Sequence, residues 1–223
     1  IAMPIAVSIC TAFEKTAEQM PDGKGVYTGT PIRSALFAGK REKGLELCHF
    51  DGKKPVVLLM GGSSGALKLN VALRDALDEN TKDFSVIHLC GKGNLEENLV
   101  GRADYSQWEY VSEELPDLLA AADVVISRAG SNAINEFLAL HKPQLLIPLS
   151  TNASRGDQVL NAAYFAEKHY AMVLPQEELT PERLCADLHT LYSQREEMIA
   201  AMEQSKGKNG VEAVLEQIHQ AIR

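Results

Sequence analysis

Short runs of aliphatic and β-branched residues alternate with segments of helical periodicity along most of this chain. Between the first two runs, Ala66, Leu69, Leu73 and Leu77 recur at steps of three and four residues, as one buried face of a helix requires. This alternation is typical of βαβ units and predicts an α/β fold with one Rossmann-like, doubly wound sheet of parallel strands. The predicted strands are Val56–Met60, Ser85–Cys90, Trp108–Val111, Asp123–Ser127, Gln144–Pro148 and Ala171–Leu174.

The two ends of the chain follow a different pattern. The first 50 residues hold three candidate elements, which are an apolar run at Ile5–Cys10, a helix-compatible segment at Thr11–Gln19 and a strand at Gly25–Thr28. This part has the character of a remnant or a linker rather than of the sheet. From Thr180 onward the pattern is helical except for a break at residues 206–210. We expect the last helix to bury three residues of one face: Val214, Ile218 and Ile222.

Composition and charge narrow the class of protein. The 223 residues are 45% hydrophobic and 23% charged, which excludes a disordered or fibrous chain. The net charge of -8 provides no global positive field that would recruit nucleic acid. The longest apolar runs are far shorter than the ~20 residues of a membrane span, so we expect a soluble protein, or at most one peripheral to a membrane. Because the chain begins at Ile1 without a recognisable leader, we expect that an upstream segment is missing.

Cysteine and histidine positions argue against a metal or disulfide framework. The four cysteines form no C-x-x-C pair and have no histidine at metal-ligand spacing. We therefore expect buried, reduced thiols, which suits the cytosol. The positions concerned are Cys10, Cys48, Cys90 and Cys185. His88 lies within a predicted strand and is expected in the core, whereas the other histidines fall on loops or helix surfaces.

A first glycine-rich loop, Gly61–Ala66, joins the predicted strand Val56–Met60 directly to a helix. Its sequence, GGSSGA, lacks the Lys of a P-loop and the G-x-G-x-x-G spacing of the dinucleotide fingerprint. The glycines still allow the backbone to approach a phosphate, and the helix N-terminus offers N–H groups and the positive end of its dipole. The alternative is a tight strand-to-helix turn in which a Ser caps the helix.

A second loop of small residues runs from Ser127 into a helix that contains Glu136. Its sequence, SRAGSNAINE, again places backbone N–H groups at a helix N-terminus, which can hold a diphosphate without a metal. A carboxylate early in that helix can accept two hydrogen bonds from ribose hydroxyls. The alternative is a Glu that only complements the helix dipole on an exposed turn.

A third loop, Ser150–Asn161, is rich in polar side chains and follows the predicted strand Gln144–Pro148. The side chains of Asp157 and Gln158 in this loop can form hydrogen bonds with sugar hydroxyls, although the segment is also compatible with a plain loop that caps a helix. Ligands of open parallel sheets bind outside the carboxyl ends of the strands, so three such loops indicate one site for phosphates and hydroxyls. No D-x-D pair delivers a divalent metal, so helix N-termini have to stabilise the diphosphate.

Four segments occur together in the order that is typical of one family: YTGTPIR at Tyr27–Arg33, then GGSSGA, SRAGSNAINEFLALHKPQLLIPL and RGDQVLNA. With them, the sequence resembles glycosyltransferase family 28, and within it the N-acetylglucosaminyltransferases that convert lipid I to lipid II in peptidoglycan synthesis. The resemblance covers essentially the whole chain from about Ile5 to the C-terminal helix. It implies a GT-B architecture of two Rossmann-like lobes, of which this chain holds the C-terminal, donor-binding lobe.

The resemblance also implies how the chain divides. Residues 1–27 correspond to the tail end of the N-terminal acceptor lobe, residues 28–54 to an interdomain linker, residues 55–205 to the donor-binding domain and residues 206–223 to a C-terminal helix. The general base is expected in the N-terminal lobe, so no catalytic residue is assigned in this chain. We therefore expect the chain alone to be inactive as a transferase.

The resemblance implies contacts with every part of a UDP-N-acetylglucosamine donor. These are Arg33 near the base, the backbone of Val111 and Ser112 at the uracil, Glu136 at the ribose, Gly62, Ser63, Gly130, Ser131, Asn132 and Ala133 at the diphosphate, and Asp157 and Gln158 at the sugar. The implied reaction is one in-line displacement with inversion, in which helix dipoles stabilise the departing UDP. Neither a cofactor nor an obligatory metal is expected in the donor site.

The implied partners are a UDP-sugar, a lipid-linked acceptor bound through the N-terminal lobe, and the cytoplasmic face of the bacterial cell membrane. No nucleic acid is expected among them. Two alternatives remain open from the residues. One is another GT-B sugar-nucleotide enzyme, such as a glycolipid glucosyltransferase or an epimerase. The other is a non-catalytic nucleotide-binding subunit of a two-chain transferase.

Overall fold

A computed structural model of the protein describes residues 5–62, 66–150, 156–205 and 210–222. The chain divides into two compact units. The smaller unit extends to Arg33 and resumes at Ser205, and the larger unit is Ser34–Gln204. The domain boundaries implied by the family resemblance remain a prediction.

Eight strands are found in the described part of the chain: β1 (Ile9–Thr11), β2 (Gly25–Tyr27), β3 (Val56–Met60), β4 (Ser85–Leu89), β5 (Tyr105–Trp108), β6 (Val124–Ser127), β7 (Gln144–Leu146) and β8 (Ala171–Val173). The α-helices there are α1 (Glu14–Glu18), α2 (Arg41–Leu47), α3 (Leu67–Asp75), α4 (Leu77–Asp83), α5 (Leu115–Ala121), α6 (Ser131–Ala139), α7 (Asp157–Glu167), α8 (Pro181–Ser193), α9 (Arg195–Glu203) and α10 (Gly210–Ile222). None of these helices has the length and apolar character that a bilayer span requires.

In the smaller unit, β1 and β2 pair in parallel around α1. The predicted burial on α10 is wrong for two of three residues, since Ile218 and Ile222 are 47% and 77% exposed while Val214 is half-buried. Periodicity identifies the apolar face of a helix, but burial also needs a partner surface.

The expectation of buried thiols is wrong for Cys10, which is exposed, and Cys185 is only half-buried; all four cysteines are free.

The larger unit contains a parallel sheet in the order β5-β4-β3-β6-β7-β8, which confirms the predicted fold class. The apolar strands β3, β4 and β6 form the centre of the core. The predicted third strand, Trp108–Val111, is wrong by three residues, because β5 begins at Tyr105. The buried hydroxyl of Tyr105 lies 2.8 Å from Nδ1 of His88. Tyr110, which the prediction placed inside the strand, is 76% exposed in the loop that follows.

The helix predicted through Leu77 is two helices. The backbone turns at Ala76, which ends α3 and precedes α4, and Leu69, Leu73 and Leu77 are all buried. The turn at Ala76 accommodates the burial of all three leucines, which the 3.6-residue period alone assigned to one straight helix.

Part of the segment predicted as a linker belongs to the larger unit and packs closely within it. Helix α2 lies against α5, where a Cβ added at Gly44 would overlap the carbonyl oxygen of Asp117 and lie 2.8 Å from Cβ of Ala121. Nζ of Lys43 lies 2.7 Å from the carboxylate of Asp117 and, with the backbone N–H of Lys40, holds the pKa of that carboxyl below its usual range. Because a Cβ at position 44 would overlap the backbone of α5, the close contact between α2 and α5 requires glycine there.

Candidate functional site

The order of the strands creates a crevice between β3 and β6. Sequence-adjacent strands add outward from β3 to β4 and β5 on one side, and from β6 to β7 and β8 on the other. Met60 and Ser127 are paired at the carboxyl ends of the two central strands. The loops that leave these residues diverge at the topological switch point, which is where ligands bind in doubly wound sheets.

The loop after β6 leads directly into the N-terminus of α6. Gly130 is the N-cap residue, and no side chain caps this helix. The first intrahelical bond joins the N–H of Ile134 to the carbonyl oxygen of Gly130, so the helix supplies no acceptor for the N–H groups of Ser131, Asn132 and Ala133. A Cβ built on Gly130 meets nothing within 4 Å, so space for a ligand remains beside these groups.

The loop after β3 is shaped by two glycines. Gly61 approaches Ala66 so closely that an added Cβ would overlap the Ala66 side chain. Gly62 is exposed with φ of 99°, a conformation that favours glycine. Residues 63–65, including Ser63, lie outside the described residues. The alternative in which a Ser caps the next helix is wrong, because Ala66 is the N-cap residue of α3.

Glu136 lies one helical turn beyond the N-terminus of α6. It follows Asn132 by four residues and Ala133 by three, so all three residues share one face of the helix. Asn132 is exposed and Glu136 is half-buried. A ligand whose anionic part binds at the start of α6 can therefore reach the Glu136 carboxylate with a neighbouring hydroxyl-bearing part.

The loop after β5 carries the predicted contacts for the base. Val111 is half-buried and Ser112 is exposed. The N–H of Ser112 donates to Oε2 of Glu114 at 3.0 Å, and this bond lowers the pKa of the Glu114 carboxyl. The carboxylate thus holds the loop and engages the N–H of Ser112, one of the two residues whose backbone the family resemblance placed at the uracil.

The two predicted sugar contacts lie in the first turn of α7. Gly156, at φ of 84°, precedes Asp157, which is the exposed first residue of the helix. Oε1 of Gln158 accepts a hydrogen bond from the N–H of Leu149 at 3.1 Å. This bond closes the ends of the third predicted loop, of which residues 151–155 lie outside the described residues. Arg33 is exposed and belongs to the smaller unit, so its predicted place near the base stays a prediction.

Sequence reasoning did not single out two side chains that tie these loops together. Nδ2 of Asn161 donates to the carbonyl oxygen of Ala129 at 3.0 Å, which joins α7 to the loop after β6. The guanidinium of Arg128 donates to the carbonyl oxygen of Ile147 at 3.0 Å and to Oε1 of Gln176 at 2.7 Å. One signal was available for Arg128, namely a single cation among small residues directly after a buried strand.

The described residues hold no group of three or more His, Cys, Asp or Glu side chains that could bind a metal ion. The chemistry that the described side chains and backbone offer at this edge is the binding of an anion by helix N–H groups and of hydroxyls by Glu136.

Residues 56–218 match the C-terminal domain of glycosyltransferase family 28. The chain belongs to this family. Its sheet is the C-terminal domain of a GT-B glycosyltransferase, as the family resemblance implied, and the matched range covers β3 to β8 and most of α10.

Two curated relatives match this chain over its whole length. It is 48% identical over 223 residues to a protein of Clostridium botulinum and 50% identical to one of Geobacillus thermodenitrificans, covering 100% of this chain in both comparisons. Both are named UDP-N-acetylglucosamine--N-acetylmuramyl-(pentapeptide) pyrophosphoryl-undecaprenol N-acetylglucosamine transferase. The chain spans 62% and 63% of the lengths of these relatives.

Solved structures resemble the chain in fold. The crystal structure of MurG from Acinetobacter baumannii superposes with a TM-score of 0.70 at 25% sequence identity, covering 97% of this chain and 61% of that protein. The glycosyltransferase of kitacinnamycin shows the same fold, with a TM-score of 0.66 at 18% identity over 96% of this chain and 55% of that protein. The family and the fold thus agree with the order of strands described above.

Proposed function

We propose that this chain binds UDP-N-acetylglucosamine and forms the donor part of a transferase that makes lipid II from lipid I. The observation that carries the proposal is the uncapped N-terminus of α6 at the crevice between β3 and β6, with Glu136 one turn along the same helix. The names of the relatives supply the substrates. Because the chain spans 62% of the length of one such relative, the complete reaction is proposed for a longer protein.

In the proposed reaction, the muramoyl 4-hydroxyl of lipid I attacks the anomeric carbon of the donor. The bond from that carbon to the UDP oxygen breaks in line, so the configuration inverts and UDP gains negative charge. The N–H groups of Ser131, Asn132 and Ala133 and the dipole of α6 stabilise this charge more strongly in the transition state than in the ground state. The hydroxyl proton passes to a general base supplied by the rest of the longer protein.

The remaining contacts follow the length of the donor. Glu136 accepts hydrogen bonds from the ribose hydroxyls, and the backbone of Val111 and Ser112 meets the uracil. Asp157 and the amide nitrogen of the Gln158 side chain form hydrogen bonds with the hydroxyls of the sugar. No metal is required in this scheme, because helix N–H groups hold the diphosphate.

We also propose that the longer protein works at the cytoplasmic face of the bacterial membrane as a peripheral protein. The reason is chemical, since its acceptor is linked to a lipid whereas its donor is soluble in water. We expect no nucleic-acid partner, because the net charge of -8 on this chain provides no global positive field.

A calorimetric titration of the purified chain with UDP-N-acetylglucosamine and with UDP-glucose tests the proposal. We expect the acetylated donor to bind at least about fivefold more tightly, with no change on addition of a chelator. Equal affinity for both donors would argue for a different sugar-nucleotide enzyme. In a parallel assay, transfer to a lipid I analogue by this chain alone would contradict the assignment of the general base to the rest of the protein.

A further inference from the structure

A buried guanidinium lies at the sheet edge that carries the proposed donor site. Arg128 is 8% exposed, and its two hydrogen-bond acceptors among the described residues, Ile147 O and Gln176 Oε1, are neutral. Among the described residues Arg128 forms no ion pair with a carboxylate, unlike Arg41, which lies 3.0 Å from the carboxylate of Asp123. The charge of Arg128 is therefore held in place without being neutralised.

Retaining this charge costs free energy. Burial disfavours the charged guanidinium and lowers the pKa of Arg128. Buried arginines are normally paired with a carboxylate, because desolvation is otherwise uncompensated. A purely structural link between the loops after β6, β7 and β8 could be made by a neutral side chain at lower cost. The binding of an anionic ligand, in contrast, would be stabilised by the positive charge of Arg128.

The position of Arg128 matches the place where an anion is expected. Arg128 precedes Ser131 by three residues, so at most about 11 Å separates their Cα atoms. The guanidinium is bonded to residues that follow β7 and β8, so it lies at the same carboxyl-end edge of the sheet as the uncapped N-terminus of α6, and both raise the electrostatic potential there.

We propose that Arg128 is a positioning residue whose unpaired charge, fixed by Ile147 and Gln176, draws the donor diphosphate to the N-terminus of α6. The proposal rests on the proposed function, because it assumes that a nucleotide diphosphate binds there. It predicts that removing the net charge weakens the binding of UDP but not of uridine, which has the same base and ribose without phosphates.

The decisive variant is Gln176→Glu in the full chain. It places a carboxylate where Oε1 of Gln176 now accepts from Arg128, so the connection between the loops is kept while the charge is neutralised. NMR titrations with UDP and with uridine measure the two affinities. We expect the affinity for UDP to fall about tenfold and that for uridine to stay within twofold. Unchanged affinity for UDP would overturn the proposal.

Gln194→Glu is the matched control. It makes the same change of charge as Gln176→Glu. Gln194, however, lines a cavity with His169 and Ala171 at the start of β8, whereas Gln176 follows the end of that strand. We expect this variant to bind UDP within twofold of the unaltered chain. An equal loss of UDP affinity in both Glu variants would overturn the proposal, since it would trace to net charge alone.

Arg128→Gln provides a second route, because a neutral amide can still donate to one of the two acceptors. The expected result is again a loss specific to UDP, with circular dichroism unchanged. Equal losses for UDP and uridine would mean that Arg128 only holds the loops together, and would overturn the proposal. If the unaltered chain binds neither compound, the proposed function itself fails; if it binds both and all variants match it, only the role of Arg128 fails.

Discussion

Nδ1 of His88 lies 2.8 Å from the hydroxyl of Tyr105, across the neighbouring strands β4 and β5. On the other side of the ring, Nε2 lies 3.0 Å from Oδ1 of Asn70, whose amide nitrogen donates to the carbonyl oxygen of Cys90. Since Oδ1 can only accept, Nε2 carries the proton and Nδ1 accepts from Tyr105. The neutral imidazole therefore satisfies every partner, and α3 is bonded to β4 and β5 through this ring.

Stability should fall in mild acid because of His88. Burial lowers the pKa of His88 from 6.5 to about 3, so the folded protein keeps the ring neutral while the unfolded chain takes up a proton below pH 6.5. Well below pH 6.5 the free energy of unfolding should decrease by about 1.4 kcal/mol per pH unit through this group, which amounts to about 2 kcal/mol between pH 7.5 and pH 5. Urea titrations of the chain and of His88→Gln measure this, since the variant lacks the titration. The prediction is refuted if the difference in the free energy of unfolding between the unaltered chain and His88→Gln is the same at pH 7.5 and at pH 5.

Replacing Glu136 should weaken nucleotide binding. If its carboxylate holds the ribose hydroxyls, Glu136→Ala loses about 1 to 3 kcal/mol of UDP affinity. Calorimetry on the folded variant measures the loss, with Glu203→Ala as the control, because Glu203 is an exposed glutamate on α9. Equal UDP affinity of the two variants would mean that Glu136 only complements its helix.

A methyl group at Gly130 should affect binding far more than folding. The backbone there has φ of -70°, which alanine tolerates, and the added Cβ meets nothing within 4 Å. We expect Gly130→Ala to lose about 1 kcal/mol of stability from the poorer N-cap. UDP affinity should fall at least about tenfold, because the methyl group occupies the space proposed for the diphosphate. Binding equal to that of the unaltered chain would place the phosphates elsewhere.

Gly44→Ala should destabilise the larger unit. The new Cβ overlaps the carbonyl oxygen of Asp117, so α2 has to move away from α5. Overpacking of this kind costs about 1 to 3 kcal/mol. Urea unfolding of Gly44→Ala and of Glu42→Ala, an exposed position on the same helix, provides the comparison. A loss below about 0.5 kcal/mol in Gly44→Ala would show that the helix contact is looser than the structure indicates.

The central strands and the two glycine loops were predictable because their signals are local. Continuous apolar runs identify β3, β4 and β6, and small residues at strand ends identify the loops. The start of β5 was not predictable, because the buried Tyr105 contacts His88, which lies on another strand and is distant in sequence. Arg128 and Asn161 were missed for the same reason, since their hydrogen-bond acceptors are distant in sequence.

The pairing of Met60 with Ser127 also bears on how the protein folds. These two residues are 67 positions apart (127 minus 60), so the crevice forms only when a contact of high sequence separation has been made. Neither half of the sheet can assemble it alone. A nucleotide that binds there stabilises only the finished arrangement, so its binding would report complete folding of the larger unit and slow its unfolding as a whole.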